Sequence, residues 1–282
     1  MNSTTVVLAG FFSAHQSGRQ FRCSEIIDKA NGIYLIEAMR YAINNINKAN
    51  KILFGTKLGY RIYDTCRSTL QMKMRASWLT SFRNPEGAYN SPFVGIIGPS
   101  TSIEARLSYP LFQRSRLPVV SYSARSEDLS NNILYKLLFR TVPDNSQQAG
   151  ALLDIIKHFK WKFISTVNSH NYFVRGGMDL TIELLKAEGI CFSSRNVLPQ
   201  NPSQQDYDYV IKNLKRNPVA RVVVLFTTPN DTQMLLKLAG PNSKFQWLSS
   251  SAWDANMQAV EGVREAAKGA ILLNYVNINN KE

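Results

Sequence analysis

In the stretch Gly98-Pro99-Ser100-Thr101-Ser102-Ile103-Glu104, small hydroxyl side chains follow an apolar run and precede a helical pattern. Backbone N–H groups at a helix N-terminus, reinforced by hydroxyls, form a site suited to an anion such as a ligand carboxylate. The same residues also spell a capping box, with Thr101 as N-cap and Glu104 three residues on. The two readings are compatible, because capping by Thr101 leaves the Ser102 hydroxyl free. A second hydroxyl cluster, Ser121-Tyr122-Ser123-Ala124-Arg125-Ser126, lies just past a predicted strand. Open α/β sheets bind ligands at such carboxyl ends; an ordinary Ser-rich turn has the same composition. Residues 168–173 are a third candidate, with Tyr172 or Phe173 able to stack on a ligand, or else a plain surface loop. Three strand ends carrying hydroxyls and aromatics point to a cleft that binds a small molecule.

Other chemistries leave no mark. The sequence holds no GxGxxG after a strand, no GxxxxGK[ST], no GxSxG and no HExxH. Its three histidines, His15, His158 and His170, lack metal-ligand spacing, and no CxxC occurs. An enzyme, a metal and a cofactor are therefore not expected. Three cysteines, Cys23, Cys66 and Cys191, make an odd count, so either one thiol is free or its partner lies outside this chain. Asn230-Asp231-Thr232 is a glycosylation sequon on what reads as an exposed helix-start loop. Lys and Arg number 33 against 20 Asp and Glu, a net charge of +13. The cations are scattered singly (Lys48, Lys51, Lys57, Arg61, Arg67), which fits a solvated basic surface rather than a nucleic-acid groove.

These residues must be positioned by a fold. The 282 residues are 44% apolar and 19% charged, a globular balance. No run approaches the ~18 apolar residues of a membrane span, and the length allows two domains. The first residues lack a basic n-region, so 5–11 reads as a strand rather than a signal peptide. Leu35, Met39, Ala42 and Ile46 share one predicted helical face. Strands are expected at 57–63, 93–98, 117–122, 163–167, 221–226, 247–250 and 270–275. Helices are expected at 69–82, from 102, through 152–159, through 178–185 with Gly189 as C-cap, at 206–215 and after 230. Pro110 predicts a kinked or short helix after Ser102, and 84–92 reads as a loop. Alternating strands and helices imply parallel βαβ units and an α/β fold. The break at Thr141-Val142-Pro143 separates two such series, giving lobes 1–143 and 144–282.

The segments Asn31-Gly-Ile-Tyr-Leu-Ile-Glu-Ala-Met, Leu58-Gly-Tyr-Arg-Ile-Tyr-Asp-Thr-Cys, Val94-Gly-Ile-Ile-Gly-Pro-Ser and Val120-Ser-Tyr-Ser-Ala carry a resemblance. So do Asp128-Leu-Ser, Arg140-Thr-Val-Pro-Asp and Ser250-Ser-Ala-Trp. In this order, over almost the whole chain, they resemble the class C G-protein-coupled receptors, above all the metabotropic glutamate and calcium-sensing receptors. The resemblance implies the extracellular Venus-flytrap module, a two-lobed periplasmic-binding-protein-like type I fold closing on a small amino-acid-like or carboxylate ligand. It places ligand hydroxyls at Ser102 and Ser123, with Arg125 where the family has a threonine. The amino-group acids fall on Asn145 and Ser251, the stacking tyrosine on Tyr172 or Phe173, and the arginine for a distal carboxylate on Leu35. Half of the glutamate-reading set is therefore absent.

The resemblance also implies a Cys23–Cys66 disulfide, and a Cys191 that bonds to a cysteine-rich linker outside the chain. It implies a receptor dimer through lobe 1, without the family's intermolecular cysteine in 84–92. A G protein would be reached only through a transmembrane region not present here, and the location would be the cell membrane with this segment extracellular. Lobe 1 is expected to be unfinished at Glu282. The rival reading is a soluble bilobed binding or transport protein without a membrane anchor.

Overall fold

The computed structural model describes residues 4–18, 22–81, 92–170, 172–249 and 257–273. The chain divides into two compact units, Met1–Asp144 and Asn145–Glu282. The first unit contains β1 (Thr4–Phe12), β2 (His15–Ser17), β3 (Cys23–Ile27), α1 (Tyr34–Ala49) and β4 (Thr56–Asp64). It continues with α2 (Thr69–Thr80), β5 (Phe93–Ile97), α3 (Ser102–Arg114), β6 (Val119–Ser121) and β7 (Leu138–Arg140). Its main sheet is wholly parallel in the order β4-β1-β5-β6-β7.

Side-chain alternation along β1 explains the layering. Phe11 packs with Met72 and Ala76 of α2 and Tyr109 and Phe112 of α3. Its neighbour Phe12 points the other way, to Met39 and Ile43 of α1. Each such buried side chain contributes roughly 1.5–3 kcal/mol. The face of α1 differs from its expected one: Met39 and Ile43 are buried, whereas Ala42 is exposed. α3 runs through Pro110 to Arg114 instead of stopping short. Pro110 lies on the exposed side, where the carbonyl it leaves unbonded can be hydrated.

The second unit contains α4 (Asn145–His158), β8 (Phe163–Ser169), α5 (Tyr172–Ala187), β9 (Cys191–Leu198) and α6 (Gln204–Lys215). Then follow β10 (Val222–Phe226), α7 (Pro229–Ala239), β11 (Gln246–Ser249) and β12 (Ile271–Leu272). The sheet order is β12-β11-β10-β8-β9, again all parallel. β10 is buried at every residue, as expected for a central parallel strand. Val222, Val224 and Phe226 meet α4 and α5, while Val223 and Leu225 meet α6 and α7. α5 crosses β10 closely at Gly177, where a Cβ would come 2.6 Å from the Phe226 ring.

The strand β9 and the short hairpin β2–β3 were not apparent in the hydropathy pattern. β9 carries Ser193, Ser194, Arg195 and Asn196 at the sheet edge. The hairpin is held by Cys23–Cys66, with the two Cα atoms 5.3 Å apart, and by the Asp64 carboxylate. Asp64 accepts the N–H groups of Ala14 at 3.0 Å and Cys66 at 2.9 Å, and meets His15 Nδ1 at 2.5 Å. The expected loop at 84–92 and the end of the expected strand 270–275 lie outside the described residues, apart from Pro92 and 270–273.

Candidate functional site

Because both sheets are parallel, each unit presents all its main strand ends along one edge. In the first unit, Ser13, Thr65, Gly98 and Tyr122 follow β1, β4, β5 and β6 there. Ser13 and Thr65 share a buried hydroxyl–hydroxyl bond of 3.0 Å. Gly98 permits the approach of two strands: φ is +100°, and a Cβ would come 2.4 Å from the Phe11 carbonyl oxygen. The Tyr122 hydroxyl donates to that same oxygen at 3.3 Å, and its ring stacks on Phe12.

The N-terminus of α3 is a complete capping box. Thr101 Oγ1 accepts the Glu104 N–H at 3.2 Å, and Glu104 Oε2 accepts the Thr101 N–H at 3.2 Å. The hydroxyls of Thr101 and Ser100 also donate to Oε2, at 2.9 and 3.2 Å. Glu104 is 1% exposed, and its other oxygen, Oε1, has no hydrogen-bond partner. Burial pushes its carboxyl above the usual glutamate value, against the opposing pull of Thr101 and its other hydroxyl neighbours. The chain's own carboxylate thus stands at the helix end that the sequence offered to an external anion.

Ser102 is 3% exposed, and its Oγ accepts the Ser126 N–H at 3.1 Å. The hydroxyl oxygen is therefore engaged rather than free, and the bond draws α3 against the turn that carries Ser123 and Arg125. That turn is secured from three sides. Ser121 Oγ donates to the Pro99 carbonyl at 2.6 Å and accepts the Ala124 N–H at 3.1 Å. Arg106 donates to Ser126 Oγ at 2.6 Å and to both oxygens of Asp128, once at 2.8 Å. Arg140 donates to the Ser126 carbonyl at 3.0 Å and to Ser130, which in turn donates to Asp144 at 2.8 Å. The Arg106 guanidinium holds the Asp128 carboxyl below the usual aspartate range. Arg106 and Arg140 were not singled out from the sequence. The available hint is that Arg106 lies one helical turn beyond Ser102 on α3.

Ser123 and Arg125 are half-buried in this turn. Leu35 packs beside the Phe12–Met39 cluster. Asn145 opens α4 in the second unit, 7% exposed, with Gly177 of α5 beside its carboxamide. Tyr172 and Phe173 begin α5, but their side chains lie outside the described residues, as does Ser251 altogether. β8 continues through Asn168 and Ser169, and α5 starts at Tyr172; residue 171 between them lies outside the described residues. Ser102 and the turn bearing Ser123 and Arg125 come together in one unit; Asn145, Tyr172 and Phe173 belong to the other.

The second unit has its own buried carboxylate. Asp231 accepts from Tyr207 Oη at 2.6 Å through one oxygen. Through the other it accepts from Thr228 Oγ1 at 2.8 Å and from Ser169 Oγ. Ser169 Oγ accepts the Thr228 N–H at 3.0 Å, tying the end of β8 to the start of α7. Burial, then Asp231, raises the Tyr207 phenol. Asn230 is exposed, as read from the sequence, but sits in the first turn of α7 rather than in a loop. Thr228 caps that helix, and the sequon's Thr232 is buried with its hydroxyl 2.7 Å from Thr227.

Cys23, Asp64 and Cys66 are the one grouping of metal-ligating side chains among the described residues. Both sulfurs are committed to the disulfide, so no thiolate remains to ligate a metal. Cys191 is an exposed free thiol. Among the described residues, no helix is long and apolar enough to cross a membrane.

The model of the receptor family ligand binding region matches residues 35–282. The chain is 28% identical to metabotropic glutamate receptor 8 of Homo sapiens over 287 residues, covering 95% of this chain and 32% of that protein. A metabotropic glutamate receptor of Drosophila melanogaster is 29% identical, covering 94% of this chain and 29% of its own length. Metabotropic glutamate receptor 4 of Macaca fascicularis is 28% identical, with 95% and 31% covered. The chain spans about a third of the length of these relatives.

Proposed function

Given that the chain belongs to the receptor family ligand binding region, as an extracellular ligand-binding region of the class C receptors, we propose that it senses a small amino-acid-like or other carboxylate ligand by cleft closure. The lobes are 1–143 and 144–282. The ligand is first held by the Ser102 and Ser123 lobe; the lobe carrying Asn145, Tyr172 or Phe173, and Ser251 then closes on it. Closure shifts the equilibrium of a dimer formed through lobe 1. Signalling passes to a G protein through membrane-spanning sequence outside this chain, and no chemical step is catalysed. Asn230 is the glycan acceptor.

The observation that carries this reading is the order of the first-lobe turn. Ser102, Arg106 and Arg140 fix the backbone that displays Ser123 and Arg125, so a ligand meets donors already in place. Glutamate itself is not the favoured ligand. Leucine at position 35 in place of an arginine removes a charge-assisted pair, typically about 1.5–3 kcal/mol. Asn145 and Ser251 read an ammonium less strongly than two acids would. Arg125 adds a cation beside the hydroxyls and accepts an acid from a different direction.

A thermal-shift screen of amino acids and small carboxylates on the ligand-binding region, with its flanking sequence, tests the proposal. At least one carboxylate should raise the melting temperature, and Ser123→Ala should reduce that rise. A panel without any stabilising carboxylate would overturn the reading.

A further inference from the structure

The end of α6 in the second unit is surrounded by three grooves that share residues. The first, about 430 Å³, is lined by Lys215, Arg221 and Lys244. The second, about 620 Å³, is lined by Arg195 and Arg216 and shares Asn217 with the first. The third, about 830 Å³, is lined by Lys212, Lys215 and Arg216, and shares Asn213 with the second. Sharing these residues and Lys215, the three grooves adjoin one another, and among the described residues their lining carries six cations and a single carboxylate, Asp208.

All six cations are exposed, and among the described residues none of them is in an ion pair. This differs from Arg106 and Arg140 of the first unit, which are both tied to acids. Cations at a helix C-terminus complement the macrodipole, which accounts for Lys212 and Lys215 on α6. It does not account for Arg195 in β9, nor for Arg221 and Lys244 immediately ahead of β10 and close ahead of β11. These come from separate parts of the chain: Arg221 and Lys244 line the first groove with Lys215, and Arg195 lines the adjoining one with Arg216. Polar groups lie between them. Asn213 is oriented by its bond to Asn196 Oδ1 at 3.1 Å, and Asn217, Asn242 and Tyr209 line the same surface.

We propose that this surface binds a linear sulfated polysaccharide. Arginines pair with sulfate or carboxylate through two parallel bonds, and lysines add point charge. Amide and phenol groups supply the partners that sugar hydroxyls require. A charge on successive sugar units matches cations spread over adjoining grooves better than cations converging in one pocket. The choice of a sulfated glycan rests on the extracellular placement of the chain; the grooves lie entirely within the second unit, and the proposal makes no use of the ligand-binding hydroxyls.

The test is titration of the chain with a heparin octasaccharide at two salt concentrations. Its high net charge makes an equal-charge control essential. Lys215→Glu/Arg216→Glu/Lys244→Glu is compared with Lys48→Glu/Lys51→Glu/Lys57→Glu, three exposed lysines of the first unit. The first set should weaken binding about tenfold or more and flatten its salt dependence; the second should change it about twofold or less. A Gln version of the first set, gentler on the fold, should show the same direction of loss. Equal loss in both charge-reversal sets, unchanged binding in the first, or no binding by the original chain would overturn the proposal. Equal binding of desulfated heparin, or tighter binding of single-stranded DNA or of acidic vesicles, would overturn it too. None of these outcomes bears on the carboxylate ligand, whose thermal shift is measured without heparin.

Discussion

Each unit holds a buried acid at the third position of a helix that starts just past a strand, capped by a threonine three residues earlier. In the first unit the pair is Thr101 and Glu104; in the second it is Thr228 and Asp231. As sequence they look alike. In the fold they differ: both oxygens of Asp231 accept hydrogen bonds from three hydroxyls, whereas Glu104 concentrates all its bonds on Oε2 and leaves Oε1 without a partner. The local motif fixes the helix start in both cases. Whether the carboxylate is then an anchor or a strained charge depends on what the rest of the unit brings to it. Tyr207 and Ser169, from α6 and β8, complete Asp231. Burial without a second set of donors leaves Glu104 costly to ionise.

The contrast breaks most visibly at Asp231. Asp231→Ala strands three hydroxyl donors in a buried site and should cost about 3 kcal/mol or more, read as a lower urea midpoint of the second unit. A change under about 1 kcal/mol would mean that water replaces the carboxylate and that the network is not an anchor. Tyr207→Phe removes only one of the three donors. It should cost about 1–1.5 kcal/mol and leave the slope of the denaturant curve unchanged.

At Glu104 the prediction concerns pH. A carboxyl raised in the folded state contributes stability that is full below its ordinary value and is lost as pH rises through the raised value. Melting temperatures of the original chain and Glu104→Gln, followed from about pH 4 to pH 7, should therefore diverge in favour of the variant as pH rises. Parallel curves would show that Oε1 is solvated in solution. The opposite sign belongs to Asp128, which Arg106 depresses. Its contribution is present above the ordinary aspartate value and lost as pH falls, so Asp128→Asn should remove a small acid-side loss. Because Asp128 is partly exposed, this is the smallest of the expected effects.

Much of the fold was legible in the sequence because strong apolar periodicity marks buried elements. The run 221–226 reads as a strand, and Met178, Ile182 and Leu185 as the face of a helix ending near Gly189, whose φ is +71°. Elements held by tertiary contacts were not legible. β9 places serines, an arginine and an asparagine at a sheet edge, which no alternation rule selects. The hairpin β2–β3 depends on a disulfide to a residue 43 positions away. At the candidate site, the hydroxyl-rich ends of β5 and β6 could be read from composition and position. The bonds that order them could not, since Arg106 reaches Ser126 over 20 residues and Ser102 reaches it over 24. Ser102 therefore proved to be an acceptor inside the fold as well as a candidate for a ligand.

The most direct test of the ligand-binding reading is calorimetry on the ligand-binding region with its flanking sequence, titrating glutamate and the carboxylate selected by thermal shift into the original chain and Arg125→Ala. The expected result is weak or undetectable glutamate binding, with the selected carboxylate binding more tightly and losing about tenfold in affinity on removal of Arg125. Micromolar glutamate binding, unaffected by Arg125→Ala, would contradict both the changed selectivity and the role given to the arginine.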